Sequence, residues 1–386
     1  MKASKLLAGS AALSLLALAA CGSSSSAGGK LSKVGDGEKA LSIIAWAGYA
    51  ENGSNDPKVN WVAPFEEKTG CKTTVKVGNT SDEMVELMRT GQYDGVSASG
   101  DATLRLIANG DVGEVNTDLV PNYKDISAFL KLQPYNSKGG KAYGIPHGWG
   151  ANLLMFNTDV VNPAPDSWGA VFDAASPYKG KVTAYDAPIY IADAALYLMK
   201  TKPDLKITNP YALDDAQFKA VVDLLKAQKG IIGKYWSAYA DSQADFSQGN
   251  IVLGTTWEVI KNLVDSDAKA KVDAIVPKEG STAWSDTWMV SSKAKHPSCM
   301  YKWLDYITSP EVQAQVAEYF GEAPANPKAC TSTSDKTFCD TYHASDEAFH
   351  KQLYYWTTPT KECLDGRGAK CVPFSEWQKA WTEIKG

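Results

Sequence analysis

Seven cysteines and four histidines are the side chains of this 386-residue chain best suited to bind a metal or attack a substrate. Four histidines leave little for a His-rich metal site, and no CxxC pair exists, so zinc is not expected. The phosphate-cradling GxxxxGK[ST], the GxGxxG fingerprint and the HExxH zinc motif are all absent. Gly95-Val96-Ser97-Ala98-Ser99 begins like a serine-hydrolase elbow but ends in Ser where GxSxG needs Gly. Carboxylates remain. A hydrolase built on paired Asp or Glu needs no local motif, and it stands as the alternative of another class. The formal charge of −5 argues against a nucleic-acid partner. Twelve Trp and 18 Tyr direct attention to aromatic ligand contact instead of catalysis.

The N-terminus reads as an address. Lys2 and Lys5 precede an apolar run from Leu6 to Ala20, about five residues too short to span a bilayer. This is the layout of an export signal over residues 1–20. Leu18-Ala19-Ala20-Cys21 resembles the lipobox of bacterial lipoproteins, which implies cleavage and lipidation at Cys21. Each buried acyl CH₂ would contribute about 0.8 kcal/mol to anchoring. The alternative is a plain signal peptide with Cys21 an ordinary thiol. The Ser/Gly-rich stretch Ser23 to Gly29 lies in an expected flexible tether, residues 21–39. Export also changes how the other cysteines read. Cys71, Cys299, Cys330, Cys339, Cys363 and Cys371 are even in number, which favours disulfides. Cys330/Cys339 and Cys363/Cys371 are near enough in sequence to close short loops, and Cys71 would then pair with Cys299. Free thiols or another pairing are the alternatives.

The elements that must position any site alternate along the chain. Ala40 to Trp46, Lys72 to Val77 and Tyr93 to Ser97 read as strands. Between them, Val59 to Lys68 and Asp82 to Arg89 read as helices, the second opened by a Thr80/Glu83 capping box. A helix over Ala102 to Ala108 follows. This βαβαβ order predicts an open, mostly parallel sheet. Further helices are expected over Ile191 to Lys200, Asp215 to Gln228, Val259 to Val264, Met300 to Ile307 and Pro310 to Phe320. Strands are expected over Leu153 to Phe156, Lys181 to Ala184, Ile251 to Gly254, Val272 to Val276 and Trp288 to Val290. The last 55 residues, dense in Cys and aromatics, read as a disulfide-braced appendage.

Several short stretches, in order, carry a family likeness. They are Ala45-Trp46-Ala47-Gly48-Tyr49, Tyr93-Asp94-Gly95-Val96-Ser97-Ala98-Ser99 and Gly144-Ile145-Pro146-His147-Gly148-Trp149-Gly150. Ser167-Trp168, Tyr178-Lys179-Gly180, Gly254-Thr255-Thr256-Trp257, Pro277-Lys278-Glu279-Gly280 and Trp284-Ser285-Asp286 continue the series. Together the mature chain resembles the spermidine/putrescine-binding proteins of bacterial ABC importers. The resemblance implies an α/β, two-lobed periplasmic-binding-protein-like fold of the class II type. Each lobe would be a mixed sheet flanked by helices, with the ligand in the interlobe cleft. Lobe 1 would hold 40–148 and 286–326, and lobe 2 would hold 149–285 and 327–386. That division keeps Cys71 with Cys299 and the other four cysteines together. It also implies a monomer with no cofactor and no catalysis. The closed, loaded form would dock on an ABC permease in the membrane.

A polyamine carries ammonium ends on a methylene chain. Burying an ammonium costs several kcal/mol unless carboxylates compensate. Aromatic faces hold both methylenes and cation, at about 0.5–2 kcal/mol per cation–π contact. By the family's pattern Trp46, Tyr49 and Ser99 would line one side, and Asp186, Trp257, Trp284 and Asp286 would complete the cleft. Asp286 is the expected amine anchor. The chain departs from the pattern with Ile189 and Ile260 where the polyamine binders have carboxylates. Asp101 and Glu322 stand where the spermidine type has tyrosines. Either they restore the lost charge, or the ligand has a single cationic end, as in a monoamine, an amino-acid-like zwitterion or a quaternary ammonium. Arg89 and Arg105 fall on predicted helices and are expected on solvated faces.

Overall fold

The computed structural model describes residues 30–386. Cys21, the expected export signal and most of the tether lie outside the described residues.

Two mixed sheets organise the chain. The first runs in the order Ala323–Pro324, Gly144–Ala151, Ser281–Val290, Gly95–Ala98, Ala40–Ala45, Lys72–Val77. Ala40–Ala45 is parallel to both Lys72–Val77 and Gly95–Ala98, as the βαβαβ reading requires. Ser281–Val290 lies antiparallel to Gly95–Ala98 and Gly144–Ala151, and Leu353–Tyr355 pairs in parallel with its first residues. The second sheet runs Val272–Ile275, Leu153–Asn157, Leu253–Thr256, Val182–Tyr185, Ile232–Trp236. The chain leaves the first sheet for the second at Asn152 and returns over residues 276–280.

Local chemistry explains the helices that frame the site. Helix Ser81–Arg89 starts where Thr80 accepts from the Glu83 N–H. Its apolar residues Met84, Val85 and Met88 share one buried face. Asp82 and Glu83 in the first turn and Arg89 in the last complement the helix dipole. The return half of the expected capping box differs: the Glu83 carboxylate takes the Asn79 N–H at 2.9 Å.

The long strand Ser281–Val290 is buried at all ten positions. A strand covered on both faces loses the polar alternation that marks a half-exposed one, so only its end was expected.

The tail is not an appendage. Helix Phe374–Lys385 buries Phe374, Trp377, Trp381 and Ile384 in the core of the second sheet. That spacing is helical, and burying one such aromatic stabilises by about 1.5–3 kcal/mol. Residues 327–386, expected wholly with the second lobe, do not pack as one unit. Pro327–Thr331 packs on helix Pro310–Phe320, and Cys330 and Cys339 border a cluster with Ile126, Leu130 and Trp149. Disulfides join Cys71–Cys299, Cys330–Cys339 and Cys363–Cys371, with Cα separations of 5.8, 5.8 and 5.1 Å.

Candidate functional site

The parallel strands of both sheets end at one cavity of about 270 Å³. Trp46 follows Ala40–Ala45, Gly78 follows Lys72–Val77, and Ser99 follows Gly95–Ala98. From the other side come Tyr185 at the end of its strand, Ser237 after Ile232–Trp236 and Trp257 after Leu253–Thr256. A crevice outside the carboxyl ends of open sheets is the general place for a ligand in α/β proteins.

Asp286 supplies the charge. It sits mid-strand, where the pairing with Gly144–Ala151 slips between Asp286 and Thr287. Irregularities of this kind re-aim side chains. Ser99 Oγ donates to Asp286 Oδ1, and Tyr49 Oη lies 2.6 Å from Oδ2. Burial pushes the Asp286 carboxyl up to about 6, against the hydrogen bonds from Ser99 and Tyr49, which pull it down.

Indole and phenol rings form the walls. Trp284 packs across Gly150, where a Cβ would come within 2.5 Å of the ring, so only glycine fits opposite it. Trp257 meets Trp236 edge-on at 4.9 Å, and its Nε1 donates to Asn152 Oδ1 at 2.9 Å. Tyr185 stacks on Trp356 at 5.7 Å with 14° between the planes.

Five of the expected residues therefore line one cavity: Trp46, Ser99, Trp257, Trp284 and Asp286. Tyr49 does not line it. It is fully buried behind Asp286 and holds that carboxylate. Glu322 is also fully buried, with Oε2 2.7 Å from Tyr49 Oη. It borders a separate cavity of about 300 Å³ with Trp149, Glu258 and Tyr342. Asp101 and Asp186 line an adjoining chamber of about 280 Å³ that shares Thr80, Ser81, Tyr185 and Ser237 with the first. There Asp186 Oδ1 accepts from Lys385 Nζ at 2.6 Å and Trp381 Nε1 at 3.0 Å. Asp101 accepts from Ser81 Oγ at 2.8 Å, and burial raises its carboxyl while Arg105 opposes the rise.

Ile189 and Ile260 are wholly inside the cores, so neither site of substitution faces the cavity. Arg105 is not on a solvated face. It pairs with Asp82 at 2.5 Å and its Cζ lies 4.5 Å over the Phe374 ring. Sequence reasoning missed Tyr185, Tyr239, Phe320 and Trp356 as wall residues. Tyr185 directly follows an expected strand and could have been found by the strand-end rule. Trp356 carries no such signal, because its position depends on a tail that folds back. Among the described residues no group of three or more His, Cys, Asp and Glu is arranged to hold a metal ion.

Residues 60–339 match the family model described as bacterial extracellular solute-binding protein. The chain belongs to that family. It is an exported solute-binding protein and not an enzyme. The solute-binding protein is 25% identical over 336 residues to the putrescine/cadaverine-binding protein of Pseudomonas aeruginosa, covering 83% of this chain and 88% of the relative. Its fold matches the TpPotD lipoprotein of Treponema pallidum with a TM-score of 0.71 at 15% identity, over 90% of this chain and 99% of the other. A GABA receptor structure matches with a TM-score of 0.65 at 18% identity, over 90% and 97%. Likeness at that distance fixes the two-lobed α/β fold of the solute-binding protein. The ligand must be argued from the cavity.

Proposed function

We propose that this chain is the ligand-capturing component of an ABC importer and binds a cationic amine between two closing lobes. The lobes would be the units built on the two sheets, hinged at Asn152 and residues 276–280. The observation that carries the reading is Asp286, a single carboxylate at the base of an aromatic-walled cavity. An ammonium there would gain a counter-charge and aromatic faces together, which offsets its desolvation. The polyamine names of the relatives support the same ligand class. Closure would be driven by contacts the ligand makes only in the closed form, and the closed form would dock on the permease. Cys21, outside the described residues, would be lipidated and tether the protein at the membrane.

A second reading has its own support. Lys385 already neutralises Asp186 in the adjoining chamber, which leaves one end of a long cation without a free partner there. That arrangement favours a ligand with a single cationic end.

A thermal-shift series with putrescine, spermidine and tetramethylammonium tests both. A ligand at a hundred times its dissociation constant stabilises by about 2.7 kcal/mol. An amine-dependent rise that disappears in Asp286→Asn is the expected result. No rise with any cation, or a rise indifferent to Asp286→Asn, would overturn the proposal.

A further inference from the structure

One hydroxyl stands between two acids. Tyr49 Oη lies 2.6 Å from Asp286 Oδ2 and 2.7 Å from Glu322 Oε2. A phenol has one proton and can donate to only one of them. The other short contact needs a proton on the carboxyl itself.

The remaining donors decide which acid holds it. Asp286 has a second donor, Ser99 Oγ, on Oδ1. Glu322 Oε1 has no hydrogen-bond partner. A carboxylate with two donors is stabilised as an anion, and one without is not. The Gly148 backbone closes the space beside Glu322: a Cβ there would fall 2.0 Å from the carboxyl carbon. His147, on the strand Gly144–Ala151, brings Nε2 to 3.5 Å from Glu322 Oε1. It supplies no charge, because burial drives the imidazole down to about 3. Of the other packed elements, Asp101 of helix Gly100–Asn109 and Tyr185 of strand Val182–Tyr185 act electrostatically with Asp286, and Glu258, Tyr342 and His343 line the cavity that Glu322 borders. The one group among these that could carry a positive charge, His343, is half-exposed and pairs with Asp346. Burial and the neighbouring Asp286 charge both hold the Glu322 carboxyl well above the usual range.

We propose that Glu322 is a neutral acid that donates to Tyr49, which in turn donates to Asp286, so the pair presents one negative charge to the cavity. Glu322 is then a positioning residue. It fixes the phenol that orients Asp286, and it limits this end of the site to one ammonium head. The consequence for specificity rests on Asp286 as the cation anchor. The protonation state of Glu322 does not.

The test begins without ligand. Wild-type protein carrying ¹³C at its Glu carboxyls is titrated by NMR, and the infrared carboxyl region is compared with that of Glu322→Gln. The expected result is a protonated-acid signal at neutral pH that the Gln variant lacks. A wild-type NMR series in which every Glu carboxyl is ionised at neutral pH overturns the proposal, whether or not the variant folds. Putrescine then serves as the probe. Glu322→Gln, whose amide can still donate to Tyr49, should bind it within about threefold of wild type, whereas Glu322→Ala should lose about fivefold or more. A tenfold loss in Glu322→Gln would mean that the charge is needed, and would overturn the proposal. If Asp286→Asn binds putrescine normally, the anchor reading fails, and the spectra still decide Glu322.

Discussion

Lys385 Nζ lies 2.6 Å from Asp186 Oδ1, so the last helix of the chain neutralises an acid of the second chamber. The two chambers share Thr80, Ser81, Tyr185 and Ser237 as walls. A long dication anchored at Asp286 would extend toward Asp186 and find a lysine already there. Removing that lysine should therefore change ligand preference. Lys385→Met is expected to raise spermidine affinity about threefold or more and to leave tetramethylammonium unchanged, by calorimetry. Equal effects on both ligands would separate the chamber from ligand length.

Binding should weaken in acid. As the proposed anchor Asp286 would hold a cation only when ionised, and burial has moved its carboxyl up to about 6. Below that pH the ionised fraction of the anchor falls about tenfold per unit, so amine affinity should fall by about tenfold per pH unit. Dissociation constants measured for putrescine from pH 8 down to pH 5 would show it. A flat profile would mean that Asp286 is not the counter-ion.

The same shift has a cost for the empty protein, of opposite sign. Asp286 ionises near 3.8 when exposed and at about 6 when folded. The folded state holds the proton more tightly, so ionising the buried group removes about 3 kcal/mol of stability above pH 6. That loss disappears as pH falls below 4. Asp286→Asn carries no such group. Its melting temperature relative to wild type should be highest near pH 8 and should converge toward pH 4. Comparing the two proteins cancels the separate titration of His147, which is buried neutral and acts in the opposite direction.

Strand ends and helix faces were legible because they obey local rules. The strand Ala40–Ala45 lies within the expected Ala40 to Trp46, and Ser81–Arg89 announces itself by Thr80, Asp82 and Glu83. The cavity residues Trp46, Ser99, Trp257, Trp284 and Asp286 were all legible through the family likeness; the first three follow strands, while the strand that carries the last two is buried on both faces and shows no period. The partners that decide charge were not legible at all. Lys385 meets Asp186 across 199 residues, and Tyr49 meets Glu322 across 273. Nothing local in either sequence neighbourhood specifies such a contact. It follows from where the tail helix and the edge strand dock.

The two halves also touch directly, and this makes the last prediction. Arg105, on helix Gly100–Asn109, lays its guanidinium 4.5 Å over Phe374 of the C-terminal helix. Its partner Asp82 accepts from Gln378 Nε2 at 2.8 Å, again across the cleft. These contacts lie outside the aromatic cavity, between a hollow of about 520 Å³ and the Asp186 chamber, which Asp82, Phe374 and Gln378 also line. If the halves separate on opening, both contacts belong to the closed form alone. The cation–π contact contributes about 0.5–2 kcal/mol, whereas the Arg105–Asp82 ion pair joins two helices of the same half and does not change with closure. Arg105→Ala should then weaken putrescine binding by about three- to tenfold without touching the ligand. The loss should appear together with a larger radius of gyration in small-angle scattering of the ligand-free protein. Weaker binding with unchanged dimensions would assign Arg105 to the site itself, and unchanged binding would show that these contacts persist in both forms.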